Sequence, residues 1–224
     1  MTMGDPRILA SGVEIAFHAE GVEHAVLTGV DLSVAPGEVV AVAGRSGSGK
    51  TTFLTVVAGL EDPDAGAVEV LGLPAAAAHP WCDVALLPQS LGLLDELTVE
   101  ENVALPCRLS GDAPALDPTE LLDRLGLAHL VRRFPSEISL GEQQRTALAR
   151  AAIVQPQVLL ADEPISHQNL EWASVMMQLL AELATAGTTC LLATHNELAF
   201  AHAHRVFELR DGQLALLAAK EELT

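Results

Sequence analysis

Residues 44–52 read GRSGSGKTT and satisfy every fixed position of the phosphate-binding pattern G-x-x-x-x-G-K-[ST]. The stretch before it, VVAVA at 39–43, is apolar and rich in β-branched residues, which predicts a buried strand. The stretch after it, 53–58, can continue a helix until Gly59 ends it. A chance glycine-rich turn would not carry both flanks. The chain is therefore predicted to bind nucleotide phosphate, as ATP or GTP.

The residue types in this loop suit that role. Its glycines let the backbone curl so that successive N–H groups point inward, and the following helix adds its positive end. Lys50 can reach the β- and γ-phosphates, the Thr51 hydroxyl can hold Mg²⁺, and Thr52 lies beside it on the phosphates. The predicted nucleotide contacts of the loop are Gly44, Ser46, Gly47, Ser48, Gly49, Lys50, Thr51 and Thr52.

Charge and composition exclude several classes of protein. The formal net charge of the 224-residue chain is −18, which repels nucleic acid, so we expect no nucleic-acid partner. No apolar run is long enough to cross a bilayer, and the first residues do not resemble a signal peptide, so a cytoplasmic location is expected. Attachment to a membrane would then need another protein. Three scattered cysteines predict reduced thiols.

The remaining patterns predict one domain over residues 1–224, in which strand-like patterns at both ends flank a helical pattern in the middle. Residues 13–17 and 26–34 alternate as antiparallel strands. Residues 90–155 are helical in pattern, with S/T-x-x-E capping boxes at 98–101 and 139–142. Apolar strands follow at 158–163 and 188–194, and a hairpin is centred on Asp211-Gly212.

Four features occur in a fixed order: residues 44–52, Gln89, residues 139–145, and the Asp162-Glu163 pair followed by His195. In this order and spacing the chain resembles the nucleotide-binding subunit of ABC transporters over nearly its whole length. The resemblance implies an α/β fold: a RecA-like P-loop NTPase core, an antiparallel β subdomain, and an α-helical insert at about 90–155.

The resemblance also implies a role for each residue of the catalytic set. Asp162, with Thr51 and Gln89, would hold Mg²⁺. Glu163 would orient or deprotonate the attacking water, assisted by His195 and Gln89, because phosphoryl transfer needs several groups at one γ-phosphate. Phe17 falls where the family has an aromatic residue stacked on adenine, although core packing alone would also explain it.

The resemblance further implies that one copy of the chain cannot form a complete ATP site. Residues 138–145, ISLGEQQR, occupy the signature motif, in which Ser139, Gly141 and Glu142 would contact the ATP bound by the opposite subunit. Two copies, identical or pseudo-symmetric, would then close head to tail around two ATP molecules.

Three positions depart from the family pattern. Leu140 stands where glycine is usual in the signature, Asn169 where aspartate is usual in the D-loop, and Ile165 where threonine is usual. Because Lys50, the Asp162-Glu163 pair and His195 are intact, we expect an active ATPase. The departures bear on the rate and the symmetry of hydrolysis more than on nucleotide binding.

Residues 88–106 look most like the lipoprotein-release and macrolide-export branch. This implies a separate integral membrane permease subunit and a peripheral position on the inner face of the membrane. Leu91, Leu93 and Leu94 are candidate contacts with that subunit, although burial in the core would explain each of them at least as well. A soluble ABC ATPase acting as a scaffold remains an alternative. A small-molecule P-loop kinase is disfavoured by the signature and by His195, and a DNA-repair ATPase by the acidic charge.

Overall fold

The computed structural model describes residues 5–19, 22–77, 79–80 and 82–219. The residues that would test the absence of a leader, 1–4, and the C-terminal end of the predicted single domain, 220–224, lie outside this part. The extent of the domain therefore stays a prediction.

A six-stranded sheet forms the centre of the molecule, in the order β10-β9-β3-β8-β7-β6. Five of its strands run parallel, and β10 pairs antiparallel with β9. Their bounds are β3 Val39–Ala43, β6 Val84–Leu87, β7 Val158–Asp162, β8 Thr189–Ala193, β9 Arg205–Arg210 and β10 Gln213–Ala219. The parallel strands are nearly continuous apolar runs because both of their faces are covered.

A second, antiparallel sheet of four strands lies over one face of the first, in the order β2-β1-β4-β5. Its strands are β1 Ile8–Ala19, β2 Val22–Val34, β4 Ala65–Val70 and the short β5 Leu73–Pro74. Alternate residues of β3 pack on opposite sides. Val40 and Val42 join the core shared with this sheet and with helix α1 (Lys50–Val57), while Val39 and Ala41 join the core on the other side.

The core on that other side is built with helices. They are α2 Val99–Ser110, α3 Pro118–Arg124, α4 Leu140–Ala152 and α5 Leu170–Thr185, with α6 Glu197–His202 near the end of the chain. Three of them, α2 to α4, fall between β6 and β7 in the sequence. Among the described residues, no helix combines the length and the apolar character that a membrane span requires.

Most elements lie where the sequence predicts them. The two predicted N-terminal strands pair antiparallel, with Ile15 opposite Leu27, although β1 starts five residues earlier than its alternating pattern. Both predicted capping boxes are formed, and α4 ends at Ala152, two residues before the predicted end. The strand β5 and the helix α6 were not predicted, because two and six residues are too few for a periodic pattern.

Candidate functional site

The phosphate-binding loop joins the end of β3 to the start of α1, and two of its glycines have physical reasons to be glycine. A Cβ on Gly44 would lie 2.5 Å from the Ser48 hydroxyl oxygen and 2.7 Å from the Leu209 carbonyl oxygen. Gly49, at φ 100°, occupies the N-cap of α1 in a left-handed conformation that side chains disfavour. The backbone can therefore turn sharply and direct the N–H groups of the first helical turn at an anion.

Lys50 is the first residue of α1 and lies across this loop. Its ammonium group donates to the carbonyl oxygens of Gly44 at 2.9 Å and Arg45 at 3.1 Å, and only 8% of the residue is exposed. These neutral acceptors leave the positive charge uncompensated by direct contact. The lysine is thus held where a phosphate group in the loop would meet it.

Thr51 and Asp162 meet at the carboxyl end of β7, as the magnesium prediction requires. The Thr51 hydroxyl donates to Asp162 Oδ2 at 2.6 Å. Burial raises the pKa of the Asp162 carboxyl, the Thr51 hydrogen bond lowers it, the charge of Glu163 raises it again, and that of Lys50 lowers it; the net direction is upward. Hydroxyl, carboxylate and amide oxygens are the donors that Mg²⁺ prefers, and Gln89 lines the same small cavity as this pair.

Glu163 is held by the two residues that follow β8. Its Oε1 lies 2.7 Å from His195 Nδ1, and its Oε2 accepts from the Thr194 hydroxyl at 3.0 Å. Glu163 has φ 49°, a left-handed conformation that costs a non-glycine residue energy. The side chain of Glu163 is 12% exposed while that of His195 is 71% exposed. A carboxylate held by two neighbours, with an exposed imidazole beside it, suits a base that orients water.

These groups share one cleft of about 740 Å³, which we call the P-loop cleft. It is lined by the loop glycines and Lys50, by Gln89, Asp162, Glu163 and His195, and by Phe17, whose side chain is exposed. The structure thus brings together, in one place, the residues predicted for phosphate, metal, water and adenine, except Ser48, whose hydroxyl is buried and which is not among the lining residues. Because the Phe17 ring is exposed at the cleft wall, it is accessible for stacking on an adenine ring, whereas a buried ring would not be.

Ser139, Gly141 and Glu142 are absent from the lining of the P-loop cleft within the described chain. They form the first turn of α4, where the Ser139 side chain accepts from the Glu142 N–H at 3.3 Å. The Glu142 carboxylate accepts from both the N–H and the hydroxyl of Ser139 at 2.7 Å. Ser139 and Leu140 are exposed. This turn is therefore available to a second molecule and does not serve the cleft of its own chain.

Five residues of the site were not predicted as contacts: Thr194, which donates to Glu163, and Val26, Arg45, Ser166 and His167, which line the P-loop cleft. Thr194 follows β8 directly, and its position before a predicted catalytic histidine was the available signal. His167 also lines the P-loop cleft, in the loop between β7 and α5, where no sequence pattern distinguishes it from a solvent-exposed histidine.

Comparisons with known proteins agree with this geometry. A family model described as "ABC transporter" matches residues 27–166. The lipoprotein-releasing system ATP-binding protein LolD of Xanthomonas oryzae pv. oryzae is 41% identical over 213 residues, which are 90% of this chain and 87% of that protein. The macrolide export ATP-binding/permease protein MacB of Wolinella succinogenes is 37% identical over 95% of this chain, which spans 34% of that longer protein.

Among solved structures, a dimeric ATP-binding cassette in a post-hydrolysis state bound to ADP and phosphate superposes with a TM-score of 0.86 at 26% identity. The match covers 95% of this chain and 98% of that one. The predicted RecA-like P-loop fold is confirmed by this similarity and by the mixed α/β architecture.

Proposed function

This chain belongs to the ABC transporter family, and we propose that two copies of it close around ATP to drive a separate membrane subunit. As a member of that family it is an ATP-binding subunit and an ATPase. The roles of individual residues, Mg²⁺, the dimer and the membrane partner are the further parts of the proposal.

One observation carries the catalytic part: Glu163, held by Thr194 and His195, stands in the same cleft as the Thr51–Asp162 pair. Lys50 and the loop N–H groups bind the β- and γ-phosphates. Thr51, Asp162 and Gln89 would hold Mg²⁺, which would supply positive charge against the phosphates. Glu163 then orients the water and accepts its proton, while His195 stabilises the γ-phosphate.

The position of the signature residues supports the dimer. The first turn of α4 has an exposed serine, and the backbone N–H groups of Leu140 and Gly141 have no hydrogen-bond partner within the described part of the chain. These features suit an anion, yet the turn lies outside the cleft of its own chain. Head-to-tail pairing of two copies supplies the missing phosphate, and each ATP then lies between a P-loop cleft and a partner's signature turn. A dimeric structural neighbour accords with this arrangement.

The proposal of a membrane partner is supported by a groove of about 480 Å³ that such a partner could occupy. It is lined by Leu60, Ala76, His79, Pro88, Pro106 and Ala151, so it lies beside the Gln89 segment and is largely apolar. Of the three leucines predicted to contact the partner, Leu94 is 44% exposed and remains a candidate. Leu91 is only 5% exposed and packs into the helical core, which is the alternative that the sequence left open for it. We place the chain on the inner face of a membrane through this groove.

The decisive experiment uses Glu163→Gln, which keeps the shape of the site and removes the base. With Mg-ATP, light scattering is expected to show a doubling of mass, and ATP removal should reverse it. Glu197→Gln, an exposed glutamate of α6, is the matched control and should hydrolyse ATP normally. A Glu163→Gln protein that binds ATP but stays monomeric at saturating nucleotide would refute the dimer.

The membrane partner is tested separately, by capture of tagged Glu163→Gln with Mg-ATP from detergent-solubilised membranes. A stoichiometric multi-helix membrane protein is expected. Recovery of soluble partners alone, with the chain absent from the membrane fraction, would favour the scaffold ATPase instead.

A further inference from the structure

Gln168 lies in the loop between β7 and α5 and bonds to the signature helix α4 through both atoms of its amide. Its Nε2 donates to the Gly141 carbonyl oxygen at 2.9 Å and to Gln144 Oε1 at 3.0 Å. Its Oε1 accepts from Arg145 Nη1 at 2.9 Å. One side chain therefore contacts the first turn of α4 and the two residues after it.

Gln144 continues the connection from α4 to the catalytic glutamate. This side chain is 2% exposed. Its Nε2 donates to the Glu163 carbonyl oxygen at 2.8 Å, and its Oε1 accepts from the His167 N–H at 3.2 Å. A chain of hydrogen bonds thus runs from the Gly141 carbonyl through Gln168 and Gln144 to the backbone of Glu163. Gln144 is buried and Gln168 is partly buried, and both of their side-chain amides have hydrogen-bond partners, so the network fixes the relative position of its members.

Packing around these two glutamines is tight. A Cβ on Gly141 would lie 3.0 Å from the His167 carbonyl oxygen and 3.5 Å from Gln168 Nε2. Arg145, 7% exposed, donates from Nε to the Leu125 carbonyl oxygen at 2.8 Å and stacks at 4.4 Å over the Trp172 ring. The acceptor that Gln168 gives to Arg145 is therefore part of a rigid junction between α4, α5 and the end of α3.

We propose that Gln168 is a positioning residue that locks the signature turn to the Glu163 backbone, so that the two ATP sites of the dimer act together. The inference rests on the proposed dimer, in which Glu163 serves one ATP and the signature turn of the same chain serves the other. A displacement of Glu163 is then transmitted to Gly141, and a displacement of Gly141 to Glu163, because the two residues are connected by an unbroken series of hydrogen bonds.

Two substitutions at one position separate the parts of this network. Gln168→Leu keeps the approximate volume and removes all three hydrogen bonds. Gln168→Glu keeps the acceptor for Arg145 but loses the donor to Gly141 and Gln144. If the leucine variant does not fold, the glutamate variant still tests the role of that donor. Gln178→Leu, on the exposed side of α5, is the matched control for the leucine substitution.

The measurements are ATP hydrolysis against ATP concentration and the affinity of the monomer for a fluorescent ATP analogue. The unsubstituted chain is expected to show a Hill coefficient approaching about 2, the number of sites. For both Gln168 variants we expect the Hill coefficient to fall toward about 1 and kcat to drop about ten-fold. Monomer affinity should be unchanged, since Gln168 does not line the P-loop cleft.

The outcomes distinguish this inference from the proposed function. If both Gln168 variants keep the Hill coefficient and kcat of the unsubstituted chain, the positioning role is refuted and the dimer stands. If only Gln168→Leu is impaired and Gln168→Glu is normal, Gln168 serves to anchor Arg145 and the coupling role is refuted. If the unsubstituted chain is itself non-cooperative and Glu163→Gln stays monomeric with ATP, the dimer and this inference are refuted together.

Discussion

At the scale of single residues, Asp162 combines a functional demand with an energetic cost. It is 4% exposed, and its carboxylate is satisfied in part by the Thr51 hydroxyl. Burying an ionised carboxylate without a direct cationic partner is unfavourable, and this is the main reason that its pKa is raised. In the proposed function a divalent cation would need this charge, so binding of that cation with its nucleotide would remove the cost.

The substitution Asp162→Asn is therefore expected to stabilise the nucleotide-free chain while abolishing hydrolysis. Asparagine can still accept the Thr51 hydrogen bond without a buried charge. At pH 7 without Mg²⁺ or nucleotide, we expect Tm to rise by about 2–4 °C, and hydrolysis to fall at least about 100-fold. Differential scanning calorimetry and a phosphate-release assay measure the two effects.

The pH dependence of this stabilisation has a definite sign. Because the folded-state pKa of Asp162 is raised above its unfolded value, ionisation costs stability at neutral pH, and the cost disappears as pH falls through the folded pKa. The Tm difference between Asp162→Asn and the unsubstituted chain should shrink as the pH is lowered. Asp123→Asn, at an exposed position, is the control; a lower Tm for Asp162→Asn at pH 7 would contradict the argument.

Glu142 presents a second conflict at residue scale. The hydrogen bond from the Ser139 hydroxyl has the largest effect and lowers the pKa of Glu142; burial opposes it, and the hydrogen bond from the Ser139 N–H and the charge of Arg145 lower the pKa further. The residue is therefore ionised at neutral pH, at the helix turn that we assign to a partner's γ-phosphate. A negative charge there favours the free helix but repels phosphate.

We expect Glu142→Gln to tighten ATP-dependent dimerisation. Glutamine keeps the capping geometry while the charge is lost. In the Glu163→Gln background, the ATP concentration that gives half-maximal dimer by light scattering should fall about two- to five-fold. The control is Glu101→Gln, because Glu101 forms the same capping box with Thr98 at the start of α2. A rise in that ATP concentration would show that the carboxylate itself assists closure.

At the scale of elements, the segment after Gln89 is held from two sides. Asn102 of α2 is fully buried, and its Nδ2 donates to the carbonyl oxygens of Leu94, Leu97 and Thr98 at 2.9–3.1 Å. On the other side, the Arg150 guanidinium of α4 donates to the carbonyl oxygens of Leu91 and Gly92. Buried polar side chains thus replace the secondary structure that this segment lacks.

Asn102→Asp tests the first of these attachments. The substitution places an ionised oxygen against three carbonyl oxygens, and we expect the free energy of unfolding to fall by about 2 kcal/mol or more. Urea denaturation followed by circular dichroism measures the loss. Glu96→Gln, at an exposed position in the same loop, should leave stability unchanged. A normal midpoint for Asn102→Asp would mean that the loop relaxes away from the helix.

Elements with a periodic or capped pattern could be predicted from the sequence, and contacts between elements largely could not. Thr98 and Ser139 begin helices because a capping box is a local arrangement within four residues. Asn102 and Gln168 have no such local signal, since their partners lie in loops whose positions only the folded chain defines. The positions of Asp162, Glu163 and His195 at strand ends were predictable from motif order, whereas the pairing of Gln144 with the Glu163 backbone was not.

At the scale of the whole molecule, the net charge of −18 opposes the dimer that we propose. Two such chains repel one another, and each ATP adds further negative charge at their interface. Repulsion between surfaces is screened over about 10 Å at 0.1 M salt and over shorter distances at higher salt. Closure of the dimer is therefore opposed by long-range repulsion between the two acidic chains. Short-range contacts of ATP with the signature turn and the loop glycines must outweigh that repulsion.

Raising the salt concentration is accordingly expected to favour closure of Glu163→Gln, although salt weakens most charge-driven association. Between about 0.02 and 0.3 M NaCl, the ATP concentration at half-maximal dimer should fall several-fold at constant Mg²⁺, because screening removes repulsion between the two acidic chains. Salt also screens the attraction of Lys50 for phosphate and so weakens ATP binding to the monomer. The affinity of the monomer for a fluorescent ATP analogue is therefore measured at each salt concentration, and the apparent dimerisation constant is corrected for it. Sucrose at matched osmolality is the uncharged control. A corrected dimerisation constant that weakens with salt would mean that complementary charges at the interface outweigh the net charge of the chain.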